Sequence, residues 1–251
     1  MKSVELYYDL HIHSCLSPCG DNDMTPANIV GMAAVKGLDV IAVTDHNSCK
    51  NCEAAMAAGE EYGVLVVPGM EICTAEEVHA VCLFPDLSRA MEFDRLVHDQ
   101  LPPVKNRPDI FGDQQIYGCD DRICGEEPWL LINACQISFD GLWELVRGLD
   151  GVMFPAHIDK SANSLIGNLG MIPPDSQFLT AEVKDLTKLH GLRREHPYLE
   201  QCRIISDSDA HYLGDIHEPE LTIPVRERSI QGVIDTLLGS AGTDENISKF
   251  L

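Results

Sequence analysis

The sequence predicts an α/β protein built from repeated strand–helix units. Two patterns carry that expectation. Short apolar runs alternate with helical stretches along most of the chain, and most of those runs end in a histidine or a carboxylate. Such alternation implies a parallel sheet, open or closed as a barrel. In open sheets ligands bind at the C-terminal strand ends, and in barrels active sites lie there, so the polar strand ends are the informative feature. The 251 residues are read as a single domain, 1–251.

The elements follow in order. Val4 to Leu10 reads as a strand. Thr25-Pro26 opens a helix through Lys36, with Thr25 as N-cap, Pro26 at the first helical position and Gly37 as the stop. Leu38 to Thr44 is a buried strand, Cys52 to Tyr62 a helix, and Val64 to Pro68 a strand. Val78 to Phe84 is another strand, and Ser88 to Leu101 a helix. The rhythm breaks over about 102–131, a stretch rich in Pro, Gly and Asp. It is read as an insertion, with a hairpin turning at Cys119 to Arg122. A helix at Phe139 to Leu149 and a strand at Val152 to Ala156 resume the pattern. Strands near Phe178 to Val183, Arg203 to Ser206 and Leu221 to Val225 precede a last helix, Ser229 to Leu238.

The charge balance is strongly acidic: 40 Asp and Glu against 18 Lys and Arg, a net charge of -22. Such a surface repels phosphate backbones and argues against binding long nucleic acid. Bound cations would relieve part of the imbalance. No export signal or membrane span is read from the sequence. Ten cysteines without such a signal suggest free thiols in a reducing cytoplasm. Cys15, Cys19, Cys49 and Cys52 could form a zinc or redox site, but free thiols are the expected state.

His11 and His13 lie two apart on one strand, so both face the same side. His46, Glu71, His79, His157, Asp209 and His211 fall at or near the edges of successive strands, with His79 near the start of its strand rather than the end. Burying six histidines and two carboxylates without a cation would leave polar groups unpaired, at about 1–3 kcal/mol each. Mixed imidazole and carboxylate ligation suits Zn, Mn or Fe rather than Ca. Asp9, Asp45 and Asp207 are placed to orient imidazoles. Lys160 and Ser161, with Asn47 and Lys184 as weaker candidates, could meet a phosphate. His98, His190, His196 and His217 are read as surface residues.

The motifs DLHIHS (Asp9–Ser14), TDHN (Thr44–Asn47), PGMEI (Pro68–Ile72), EVHAV (Glu77–Val81), PAHID (Pro155–Asp159) and SDAH (Ser208–His211) occur in this order. In that order they resemble the polymerase and histidinol phosphatase (PHP) superfamily over Tyr7 to His211. The resemblance implies a distorted seven-stranded β/α barrel with two or three divalent ions. It assigns His11, His13, Glu71 and Asp209 to one ion. Glu71 would bridge to a second, completed by His79 and His157. His46 and His211 would hold a third with Asp21, matched by the spacing of DNDMTP to its Thr-Pro, or with Asp23 as the fallback.

The resemblance also implies catalytic roles for Glu71, Asp209 and His211 in metal-dependent phosphate-ester hydrolysis by a metal-activated hydroxide. A small nucleotide-like substrate is the leading expectation. Alternatives are exonucleolytic trimming of short oligonucleotides, histidinol-phosphate hydrolysis, or a non-catalytic, metal-stabilised domain that binds a partner through the insertion.

Overall fold

The computed structural model describes residues 3–239. In chain order its elements are β1 (Val4–Ile12), α1 (Pro26–Lys36), β2 (Val40–Val43), α2 (Cys52–Tyr62), β3 (Leu65–Cys73), β4 (His79–Leu83), α3 (Leu87–His98), α4 (Pro108–Phe111), β5 (Gln115–Tyr117), β6 (Ile123–Glu126), α5 (Phe139–Gly148), β7 (Val152–Pro155), α6 (Leu165–Leu169), β8 (Thr180–Glu182), α7 (Leu189–Glu195), β9 (Arg203–Ile205), β10 (Thr222–Val225) and α8 (Ile230–Leu237). Helix α1 starts and stops on the expected signals. The Thr25 hydroxyl accepts from the Asn28 N–H, and Gly37, at φ 87, turns left-handed to close the helix.

The main sheet has six strands in the order β10-β1-β2-β3-β4-β7, and β8 and β9 form a separate parallel pair. The expected seven-stranded barrel is therefore drawn as a curled six-stranded ladder plus this pair. Between β7 and β8 the Ile158 N–H donates to the Glu182 carbonyl at 2.9 Å. Between β9 and β1, side chains replace ladder bonds: Leu10 N–H donates to Asp207 Oδ1 (2.6 Å) and Ser208 N–H to Asp9 Oδ1 (3.0 Å).

The sheet is also not uniformly parallel. β1–β2 and β2–β3 are parallel, but β3–β4, β4–β7 and β1–β10 are antiparallel. The connection from Cys73 to His79 is too short for a parallel crossover, which needs a dozen or more residues. This reversal explains the odd position of His79. In the β3–β4 register Cys73 pairs with His79, so the start of β4 lies beside the end of β3.

Apolar side chains fill the inside of the curl, among them Leu6, Leu10, Val67, Val81 and Phe154, and α8 adds Val233, Ile234 and Leu237 to that core. Helix α8 bonds the beginnings of β8 and β9: Thr180 Oγ1 donates to the Leu237 carbonyl and Arg203 Nε to the Thr236 carbonyl. It therefore closes the end opposite the C-terminal strand ends. Helices α1 and α2 pack on the outside of β2 and β3. Gly69 allows β3 and β4 to approach closely, since a Cβ there would sit 2.5 Å from Leu83 Cδ2 and 2.7 Å from the Cys82 carbonyl oxygen.

The segment 102–131 carries the expected hairpin, β5–β6, and it is tied down from within. Gln114, fully buried, donates to the Glu127 and Trp129 carbonyls (both 2.8 Å) and accepts from Leu131 N–H (3.0 Å). Asn51 precedes α2 without capping it; its side chain instead holds the hairpin through the Gln115 carbonyl and Tyr117 N–H. Gln114→Ala should cost about 2–4 kcal/mol through the backbone groups left unpaired. Urea unfolding and limited proteolysis check this: the variant should be less stable and nicked within 102–131. Unchanged stability and cleavage would show that Gln114 does not organise the segment.

Candidate metal centre

Strand ends and two isolated bridges assemble the site. His11 and His13 come from the end of β1, Glu71 from β3 and His79 from the start of β4. A bridge between His46 and Glu71 brings the loop after β2 alongside β3, and one between Ile12 and Ala210 brings the Asp209 loop beside His13. His157 follows β7, whose end pairs with the start of β4.

At the centre is the Glu71 carboxylate, 1% exposed. Five imidazoles surround it. Oε1 lies 3.3 Å from His11 Nε2, 3.0 Å from His79 Nδ1 and 3.1 Å from His157 Nε2. Oε2 lies 3.4 Å from His13 Nε2 and 3.0 Å from His46 Nδ1. Asp209 Oδ1 sits 3.6 Å from His11 Nε2 and 3.3 Å from His13 Nε2.

With the rings neutral, the protons do not reconcile these atoms with one another. The Glu182 carboxylate can only accept, so at 2.7 Å it takes the Nδ1–H of His11. The Ser17 hydroxyl donates to Asp45 Oδ1 (2.7 Å), so it accepts from His13 Nδ1–H at 3.0 Å. In neutral His11 and His13 both Nε2 atoms then carry lone pairs, and they lie 3.2 Å apart. They converge with the Glu71 and Asp209 oxygens as four acceptors and no donor. Buried His46 Nδ1 and Glu71 Oε2 also lack hydrogen bonds. A divalent cation satisfies such a set. A tetrahedral ion with bonds of about 2.0–2.1 Å has ligand–ligand edges of about 3.3–3.4 Å, close to the spacings here.

Three groups of donors lie within 4.8 Å of one another: His11, His13 and Glu71; His46, Glu71 and His79; and His13, His46 and His211. His211 is partly exposed; its Nδ1–H donates to the Asp209 carbonyl at 2.8 Å, leaving Nε2 free. Asp21 is not in these groups. Its N–H donates to the His211 carbonyl, and its Oδ1 accepts from Asp23 N–H at 2.9 Å. Asp23 is exposed.

The surrounding residues divide differently from the expectation. Asp45 acts on His13 through Ser17, while Asp9 and Asp207 brace backbone: Asp9 accepts from Ser208 and His217 N–H, and Asp207 from Leu10 N–H. Glu182, absent from the sequence-based set, is the partner of His11. Its sequence signal was a carboxylate at the C-terminal end of β8, the position that marked the other candidates. Asn47 is spent on structure, donating to the Leu131 and Asn133 carbonyls and accepting from Cys73 N–H. Lys184 holds the Asp207 and Ser208 carbonyls.

Lys160 lines the site pocket, with Nζ 2.5 Å from Asp209 Oδ2, and Ile132, Ala162 and Asn163 complete the wall; Ser161 is not part of it. Of the histidines read as surface residues, His190 is exposed, whereas His98, His196 and His217 are half-buried. Among the described residues no metal-capable group contains a cysteine. The Cys49 and Cys52 thiols instead donate to the Gly69 carbonyl.

The field of the surrounding carboxylates sorts the imidazoles. Burial alone would lower the pKa of His11, but Glu182, Glu71 and Asp209 outweigh it and hold it well above the usual value. His79 is likewise pushed up to about 10, with Glu71 overcoming burial. His13 and His46 are held low by burial and neighbouring imidazoles. Glu71 stays well below the usual carboxylate range despite burial, because His79, His11 and His46 face it.

Without metal, His11 and His79 therefore carry protons near neutral pH that a cation must displace. Metal uptake at pH 7 should release protons, and affinity should fall about tenfold per pH unit for each proton displaced as the solution is acidified. Calorimetry in buffers of different ionisation enthalpy measures this; uptake with no proton release would contradict the assignment. Glu182→Gln should lower divalent-ion affinity about 10–100-fold with the circular dichroism unchanged. Unaltered affinity would remove the orienting role.

Comparisons with known proteins place the chain in a family. The profile of the PHP domain family matches residues 9–242. An uncharacterized protein of Methanocaldococcus jannaschii is 36% identical over 92 residues, which are 33% of this chain and 54% of that protein. A 5'-3' exoribonuclease of Haemophilus influenzae is 35% identical over 79 residues, 30% of this chain and 28% of that one. The fold superposes on a lesion-specific endonuclease of Pyrococcus furiosus with a TM-score of 0.62 at 18% identity, covering 95% of this chain but 57% of the endonuclease. The chain thus spans little more than half the length of that endonuclease. With a family match that spans nearly all the described residues, and the family's motifs gathered around one carboxylate, the chain belongs to the PHP domain family.

Proposed function

We propose that this protein is a metal-dependent phosphoesterase acting on a nucleotide-like phosphoester. The observation that carries the reading is the convergence of five imidazoles and Asp209 on Glu71 at the base of a cleft of about 180 Å³. Divalent ions bound there would act as Lewis acids, polarising a phosphoryl oxygen and acidifying water.

The chain's own residues supply the rest. Glu71, Asp209 and His211 are the proposed catalytic residues; Glu71 would be shared between two ions, and Asp209 would complete the ligands of one. The Lys160 ammonium reaches into the cleft from the rim, held against the outer oxygen of Asp209, and offers a phosphate one charged donor. Ile132 forms an apolar wall across from the charged groups. Its segment is pinned by Asn47, which follows the ligand His46. A cleft of this volume takes the phosphate and the adjoining part of the alcohol, and leaves the remainder of a larger substrate over the rim.

A nucleic-acid substrate is the second reading, favoured by the exoribonuclease and endonuclease among the related proteins. The acidic charge is no ground for excluding longer strands, because the fold is shared with an endonuclease. Among the described residues no helix is long and apolar enough to cross a membrane, and the ten unpaired thiols suit a reducing compartment.

The test is a phosphoester panel with Mn, Fe, Zn or Mg added back, extended with end-labelled oligonucleotides of graded length and a duplex. Glu71→Gln should lower kcat/KM at least about a hundred- to a thousandfold. Lys160→Ala should raise KM about tenfold or more, the scale of a lost charged hydrogen bond. A metal-loaded wild type that turns over no member of the panel, and matches Glu71→Gln, would refute hydrolysis as the function.

A further inference from the structure

We infer that the resident centre of this chain holds two divalent ions and lacks the anionic ligand for a third. This rests on the metal-centre reading above and goes beyond it in fixing the number of ions. Two positions are complete. The first has His11, His13, Glu71 and Asp209 converging at 3.2–3.6 Å. The second has Glu71 Oε1 with His79 at 3.0 Å and His157 at 3.1 Å. Glu71 links the two.

A third position would depend on His46 and His211, with His13, which lies within 4.8 Å of both, already serving the first position. Both are neutral ligands when they bind a cation, and the carboxylates within reach already serve the first two positions. The expected third carboxylate, Asp21, belongs to none of the groups of converging donors. Asp21 caps the Asp23 N–H, and its backbone is fastened to the His211 carbonyl.

The cause lies in the spacer after His13. Ser17 N–H donates to the Ser14 carbonyl, Gly20 N–H to Ser17 and Met24 N–H to Asp21, so the loop is a chain of tight turns. Gly20 packs flat on the Ser14 carbonyl oxygen, where any Cβ would collide. Ser14 and Ser17 are themselves anchored on buried Asp45. Asp21 therefore cannot swing toward His46 without unmaking the support of His13. Two dications against Glu71 and Asp209 leave a net positive pair for a phosphate. A third, with no new anionic ligand, would be repelled by the first two.

The experiment counts ions directly. Protein loaded with excess Co²⁺ and desalted should retain two equivalents per chain by plasma emission, and Asp21→Ala should retain the same two. His79→Gln should fall to about one, which shows that the measurement resolves the loss of a single position. Three retained equivalents in the wild type, or one fewer in Asp21→Ala, would overturn the inference. If three ions are retained and the phosphoester panel is still hydrolysed, the inference falls and the proposed function stands. Retention of no cobalt would remove both.

Discussion

The structure depends on one buried carboxylate, Glu71, whose Oε1 meets His79 and His157 while its Oε2 has no hydrogen bond. Glu71 is buried among five imidazole nitrogens at 3.0–3.4 Å, and at least two of those rings have their Nδ1–H bonds committed elsewhere, to Glu182 and Ser17. With the rings neutral, lone pairs then face lone pairs at the buried base of the cleft, an arrangement that costs free energy unless positive charge enters. Protons on His11 and His79 supply some of that charge in the absence of metal. Divalent cations supply it with better geometry.

That constraint explains several features of the fold. The reversal of β4 has no obvious advantage for the sheet, but it carries His79 to the same rim as the ends of β1, β3 and β7. Helix α8 closes the opposite end, so apolar packing and polar chemistry occupy different ends of the curl. The loop residues that look redundant beside the ligands are mostly braces. Asp9, Asp207 and Lys184 all hold the backbone that presents Asp209.

The inserted segment is also joined to this centre. Asn51 bonds the hairpin on one side and the Ser14 hydroxyl on the other; Ser14 and Ser17 share Asp45, and Ser17 holds His13. An unbroken line of hydrogen bonds runs from the hairpin to a proposed ligand. Lys50 and Glu127 form an ion pair at the base of the same segment, with the Glu127 side chain buried. The segment is better understood as part of the scaffold of the site than as an appendage.

Much of this was legible in the sequence because local rules decided it. Thr25, Pro26 and Gly37 delimit α1 through capping and φ preference, which need no tertiary partner. The strand ends were visible as apolar runs stopping at His or carboxylate, and the hairpin as a turn-rich stretch between β-prone residues. Other features needed the folded chain. The antiparallel setting of β4, the break of the barrel into six strands and a pair, and the pairing of His11 with Glu182, 171 positions apart, depend on which backbone meets which in space. Asp21 shows the difference most clearly: its spacing to Thr25-Pro26 suggested a ligand, and only the fold shows its Oδ1 accepting from Asp23 N–H and its own N–H fastened to the His211 carbonyl. Spacing along the chain measures contour length, and contour length does not say where a side chain points once the loop has closed on itself.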